Sequence, residues 1–143
     1  MIRKNKKDTI VMVFGVFDIL HPGHLFFLKC AKQLGTTLIV IVARDRRVQM
    51  QKGRSPIMRE QDRLCIVRSL HIVNKAILGD TDIRKPSIIA KVQPDVIAIG
   101  YDQDERHPML LTQLSKLKKN PKIVRIKAYR PDAYSSTQCK KKV

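Results

Sequence analysis

Apolar and polar positions alternate in blocks along the chain, and the blocks have two different periods. Residues 10–14 are a short β-branched and aromatic run. Residues 38–42 (LIVIV) and 96–99 (VIAI) are uninterrupted and apolar, the pattern of parallel strands buried on both faces. Shorter runs of the same kind lie at 75–78, stopped by Gly79, and at 123–126. Between them the period lengthens. Apolar residues at 25, 28 and 31 predict a helix over 25–34 that ends at Gly35, a natural C-cap. Leu64, Val67 and Leu70 form one stripe of a helix over 57–70, with charges opposite. Pro86 suits the first turn of a helix over 87–92, and a further helix fits 110–117.

Strand and helix thus alternate five times with short connections. The expectation is an α/β fold: a Rossmann-like doubly wound sheet of about five mainly parallel strands with helices on both faces. The length, 143 residues, suits one domain over 1–143. In such sheets ligands collect at the carboxyl ends of the strands, near the point where strand order reverses. The loop after the first strand and the Gly100-Tyr101-Asp102-Gln103 loop after the fourth should therefore face each other.

Composition narrows the class. No window approaches the ~20 apolar residues of a membrane helix. The basic-then-apolar N-terminus leads into Asp18 rather than a small-residue cleavage site, so a cytoplasmic protein is expected. Cys30, Cys65 and Cys139 form no CxxC pair and are odd in number, which fits a reducing compartment. Cys30 and Cys65 are expected as small buried hydrophobes. The net charge of +17, from 29 Lys and Arg against 12 Asp and Glu, attracts polyanions. Yet the bases are dispersed and surface aromatics are scarce, so neither nucleic acid nor membrane is expected as a partner. A site that handles several phosphates fits better.

The candidate chemistry lies at 13–24, VFGVFDILHPGH. Gly15 permits a close backbone approach, and Pro22-Gly23 turns the chain into a helix. The unpaired amides of a helix start attract anions, and His21 and His24 would project toward a phosphate there. Two histidines spaced HxxH can also bind a metal, although a third ligand is not evident nearby. Exposed turn histidines are the plain alternative. No GxxxxGK[ST] or GxGxxG loop competes for the phosphate role.

The segment GVFDILHPGH resembles the GxFDxLHxGH signature of the cytidylyltransferase-like nucleotidyltransferases. A second element of that superfamily, RTEGISTT-like, is similar to Arg130-Pro131-Asp132-Ala133-Tyr134-Ser135-Ser136-Thr137. Within the superfamily the chain most resembles the archaeal-type FAD synthases, through residues 41–45, 75–79 and 99–103. The resemblance implies an adenylyltransferase that moves AMP from ATP to FMN, giving FAD and pyrophosphate. Relatives that share the first motif use CTP with glycerol phosphate or a similar phospho-alcohol, or ATP with sugar phosphates.

By the same resemblance His21 and His24 are catalytic. Val16, Phe17, Pro22, Gly23, Asp102, Tyr129, Arg130, Ser135, Ser136 and Thr137 join them in binding the nucleotide. A divalent cation, Mg2+, would accompany ATP, with Asp18 and Asp102 the carboxylates best placed to meet it; no resident metal site is expected. A homodimer is also implied. Asp102 is equally readable as a turn cap and Tyr129 as a packing residue. Lys52 and Arg54, beside Gly53, either close over the phosphates or are solvated charge, and His71 and His107 are surface histidines. Val16 stands where the superfamily usually has Thr, and Ala133 replaces a glycine of the second motif.

Overall fold

A computed structural model of the chain describes residues 8–82, 87–103 and 108–129. Its five strands are β1 Ile10–Gly15, β2 Thr37–Val42, β3 Lys75–Leu78, β4 Val96–Ile99 and β5 Lys122–Arg125. They form one sheet in the order β3-β2-β1-β4-β5, every neighbour parallel. The helices are α1 Pro22–Gln33, α2 Asp45–Lys52, α3 Glu60–Arg68, α4 Ile88–Val92 and α5 Pro108–Ser115. The fold is therefore the Rossmann-like α/β sheet expected from the pattern.

Alternation along the strands divides the interior into two cores, because successive side chains point to opposite faces. Val11, Val13, Val40, Val42 and Ala98 meet Leu28 and Ala31 of α1 and Leu64 and Val67 of α3. Met12, Ile39, Ile41, Ile97 and Ile99 meet Ile88 and Ile89 of α4, with Leu110 and Leu114 of α5 packed alongside. All four residues of β4 and five of the six in β2 are buried. A strand covered on both sides has no use for polar positions, hence the continuous apolar runs. Strand order reverses at β1, which pairs with β2 on one side and β4 on the other, and this opens a crevice at their carboxyl ends.

Several local expectations change. Helix α1 begins at Pro22, three residues before its apolar stripe, because Pro is pre-set for the first helical position and His21 caps it. The residue capping its far end is Leu34, in right-handed geometry, and Gly35 does not take a positive φ. Gly35 is required for space instead: a Cβ there would stand 2.5 Å from the Thr9 carbonyl oxygen and 2.7 Å from Val11 Cγ2. Helix α2 was not expected at all, since DRRVQMQK buries only Val48 and shows no apolar stripe. It ends on Gly53, which adopts φ 71 as a left-handed cap.

Helix α3 is shorter than the 57–70 expectation, and Arg63, a charged residue of that segment, is fully buried. Cys65 is exposed rather than buried, and Cys30 is partly buried. Pro86 and His107 lie outside the described residues, and His71 is exposed. Among the described residues no helix is long and apolar enough to cross a membrane.

Candidate active site

The loop from β1 to α1 is braced from inside. Phe17 takes φ 53, uncommon for a bulky residue, and buries its ring in the α1–α3 core at 3% exposure. A Cβ on Gly15 would lie 2.6 Å from that ring, so glycine is what lets Phe17 fold back beneath the loop. Asp18 is only 1% exposed, and its carboxylate accepts the Ile57 and Met58 amides at 2.9 and 2.8 Å. This corrects its expected availability to a cation: its oxygens hold the 57–58 segment against the loop.

Arg63 completes the brace. Its guanidinium donates to the Val16 carbonyl at 2.7 Å, to the Met58 carbonyl at 3.0 Å and to Asp45 at 2.6 Å. One buried cation thus joins the β1–α1 loop, the start of α2 and the segment before α3. Its position four residues before Val67 and seven before Leu70, on the apolar stripe, was the available signal.

His21 and His24 form a reciprocal cap. His21 Nδ1 accepts the Gly23 amide at 3.1 Å, and His24 Nδ1 accepts the His21 amide at 3.3 Å. Two imidazoles thereby do the work usually given to Ser or Thr and Glu. Their rings stack with centroids 3.9 Å apart. Because each Nδ1 is an acceptor, each neutral ring carries its proton on Nε2. Burial lowers the pKa of both, and it pushes His24, next to His21, down to about 4.

This geometry also revises the expected phosphate cradle. The His24 and Leu25 amides bond the His21 carbonyl at 3.0 and 3.3 Å, and the Gly23 amide is held by His21. Pro22 has no amide hydrogen. The first-turn amides are therefore committed within the helix start itself, and what the two residues turn to the cavity is imidazole rather than backbone.

A cavity of about 570 Å3 lies across the carboxyl ends of β1, β2, β3 and β4. Of the residues expected at the nucleotide, Val16, Phe17, His21, Gly23, His24, Asp102 and Tyr129 line it, whereas exposed Pro22 does not. Arg130, Ser135, Ser136 and Thr137, with Ala133, lie outside the described residues. The expected facing of the two loops has a bond of its own: Gln103 Nε2 donates to the Phe14 carbonyl at 3.0 Å, and its Oε1 accepts the Gly100 amide at 2.7 Å. Arg125 holds the same loop by donating to the carbonyls of Gly100, Tyr101 and Gln103 at 3.1, 3.1 and 2.9 Å. Asp102 is exposed on it, and Tyr129 stacks on Phe26 with ring centroids 5.0 Å apart.

Most of the remaining cavity lining was not legible in the sequence. Phe14, Ile41, Ile88, Ile99 and Leu110 give it an apolar wall, and Arg44, Arg47, Gln51 and Lys52 of the α2 region, with Asp80, give it a charged rim. Lys52 belongs to this rim, whereas Arg54 is exposed outside it.

The Cytidylyltransferase-like family model matches residues 12–142. The FAD synthase of Archaeoglobus profundus is 47% identical over 135 residues, covering 93% of this chain and 84% of the relative. That of Thermococcus sibiricus is 38% identical over 139 residues, covering 96% and 94%. A solved structure of a lipopolysaccharide core biosynthesis protein from Thermoplasma volcanium superposes with TM-score 0.74 at 43% identity, covering 86% of this chain and 99% of that one.

Proposed function

This chain belongs to the cytidylyltransferase-like family, and from that premise we propose that it is an FMN adenylyltransferase, making FAD and pyrophosphate from ATP and FMN. The FAD synthases it matches over most of their length support both the reaction and the acceptor. The observation that carries the transfer chemistry is the stacked His21–His24 pair in the cavity wall. The apolar wall opposite supports a flat, hydrophobic acceptor such as the flavin ring system.

An oxygen of the FMN phosphate attacks the α-phosphorus of ATP in line. The new P–O bond forms as the bond from the α-phosphorus to the bridging oxygen breaks, and its electron pair leaves with pyrophosphate. No covalent enzyme intermediate is required. The chain's task is to position the reactants and to stabilise charge growing on the transferred phosphoryl group. His21 and His24 do this through Nε2–H, as neutral donors in the empty site. A phosphate placed against them raises their pKa and draws them toward the charged form. Asp102 and Tyr129 contact the base or ribose, Ser135, Ser136 and Thr137 hold the phosphate chain, and Arg130 neutralises the leaving pyrophosphate or the acceptor. Val16 and Phe17 contribute through backbone, and Pro22 and Gly23 through the shape of the helix start.

Among the described residues no three His, Cys, Asp or Glu gather into a metal cluster. In this reading the divalent cation, Mg2+, arrives with the ATP phosphates, and Asp102, exposed and lining the cavity, is the carboxylate that would meet it. One domain, 1–143, located in the cytoplasm and paired as a homodimer, completes the proposal.

The test is a substrate panel with purified protein and Mg2+. ATP with FMN should yield FAD and pyrophosphate faster than CTP with glycerol phosphate or ATP with a sugar phosphate. Faster turnover of either of those pairs would overturn the acceptor assignment while leaving nucleotidyl transfer in place.

A further inference from the structure

We infer that Arg47 anchors the phosphate of the acceptor and so makes the site select a phosphorylated flavin over an unphosphorylated one; the inference rests on the FMN adenylyltransferase reading. Two arginines near the start of α2 and α3 are consumed by the fold. Arg44 donates to the Gly79 carbonyl at 2.8 Å and pairs with Glu60 at 3.1 Å. Arg63 is spent on Val16, Met58 and Asp45. Arg46 points its charge to solvent as an exposed residue. Arg47 differs from all three: it is partly buried, lines the cavity, and among the described residues makes no hydrogen bond or ion pair.

Asp80 is the acid that its charge feels, but that carboxylate is already committed. It accepts the Ser87 and Ile88 amides at 2.9 and 3.0 Å and the Ser87 hydroxyl at 2.8 Å, which caps the start of α4. Burial lowers the Arg47 pKa and Asp80 opposes that shift, as expected of a cation drawn partly out of water. A guanidinium remains charged there and keeps five N–H donors in a rigid fork. A phosphate is the ligand that fork matches, since it accepts two parallel bonds and cancels the charge.

Strand order decides which phosphate. Asp102 and Tyr129, which the proposed reading gives to the base or ribose, follow β4 and β5, on one side of β1. Arg47 follows β2, beside Gly79 and Asp80 at the end of β3 and near the apolar wall of Ile41 and Ile88. A flavin on that wall puts its phosphate between Arg47 and the histidines at the end of β1. Two phosphates must meet there, and their mutual repulsion in a partly dry cavity is a cost that one cation in the cavity wall offsets.

The experiment combines steady-state kinetics in FMN and in ATP with equilibrium binding of FMN and of riboflavin, read by flavin fluorescence. Wild type should bind FMN more tightly than riboflavin. Arg47→Gln should raise the KM and Kd for FMN roughly 10- to 100-fold, the range of a charge-assisted hydrogen bond, and leave riboflavin affinity and the KM for ATP unchanged. Arg47→Lys should restore part of the preference. Equal wild-type affinity for the two flavins, an unmoved KM for FMN, or a rise in the KM for ATP in its place would each overturn the assignment. A wild-type protein that makes no FAD would instead overturn the functional reading itself.

Discussion

The segments that follow β1 and β2 do similar work by opposite means. Both lie at carboxyl ends of adjacent strands and both line the cavity. The β1–α1 loop is rigidly prepared: Phe17 is locked beneath Gly15, Asp18 is bonded to two amides, and the histidines cap each other. The α2 segment buries only Val48 of its own and turns Arg47 and Lys52 to the cavity. In the proposed reading, chemistry that needs fixed donors sits on the braced loop, and recognition of a charged substrate sits on a helix tied down at its start but with little apolar burial of its own. The difference is one of second contacts, because a side chain held by its neighbours loses little entropy when the ligand arrives.

Removing the fixed donors should produce the largest effect. His24→Ala is expected to lower kcat by about 10²–10³, as for one oxyanion donor. His21→Asn, which keeps a cap acceptor, should lose comparable rate while its melting temperature stays near wild type. If FAD synthesis in both variants matched wild type, the loop would be a structural cap only.

The brace itself is tested by Arg63→Met. It removes a buried cation and leaves Asp45 with only the Glu60 amide, which costs about 3 kcal/mol, the lower end for broken buried pairs because Asp45 is 35% exposed. Urea unfolding measures this, and a loss below about 1 kcal/mol, the usual worth of a single hydrogen bond, would show that the loop stands without Arg63. Asp18→Asn should follow at about 1–2 kcal/mol, since two amides lose a charged acceptor; unchanged stability there would mean that the 57–58 segment needs no tether.

On the looser side, Gly53→Ala should cost about 1 kcal/mol, because Gly53 holds φ 71 with nothing within 4 Å to clash. The penalty is conformational, so a Gly53→Asn variant should recover part of it. A Gly53→Ala protein as stable as wild type would indicate that the end of α2 re-forms without a left-handed cap.

The smallest effect near neutrality concerns pH. His24 has its folded pKa lowered to about 4, below the ordinary 6.5, so the fold favours the neutral ring. Its contribution to stability is complete above pH 6.5 and is lost as pH falls toward 4. Melting temperatures of ligand-free protein between pH 7 and 5, above the carboxylate range, should decline, and His24→Asn should flatten the decline. An identical slope in the variant would remove His24 as the cause.

Much of this molecule is written in local pattern. Five strands were legible because a strand buried on both faces leaves an unmistakable apolar run, as at 38–42 and 96–99. GVFDILHPGH was legible because its glycine, proline and two histidines lie just past a strand end and resemble a family signature. Helix α2 escaped notice since its stability comes from one buried valine and a glycine cap rather than a stripe.

The sequence by itself determined the class of fold, the strand set and the pair of imidazoles at a helix start, all properties that neighbouring residues decide. Only the tertiary structure decided how charged and polar groups are spent. It buried Arg63, engaged Asp18 and the first-turn amides, placed Gly35 for space rather than for its dihedral, and left Arg47 facing the cavity. The physical reason is that an arginine's role depends on which carbonyls and carboxylates reach it from distant parts of the chain. Those partners, unlike hydrophobic period, leave no regular trace along it.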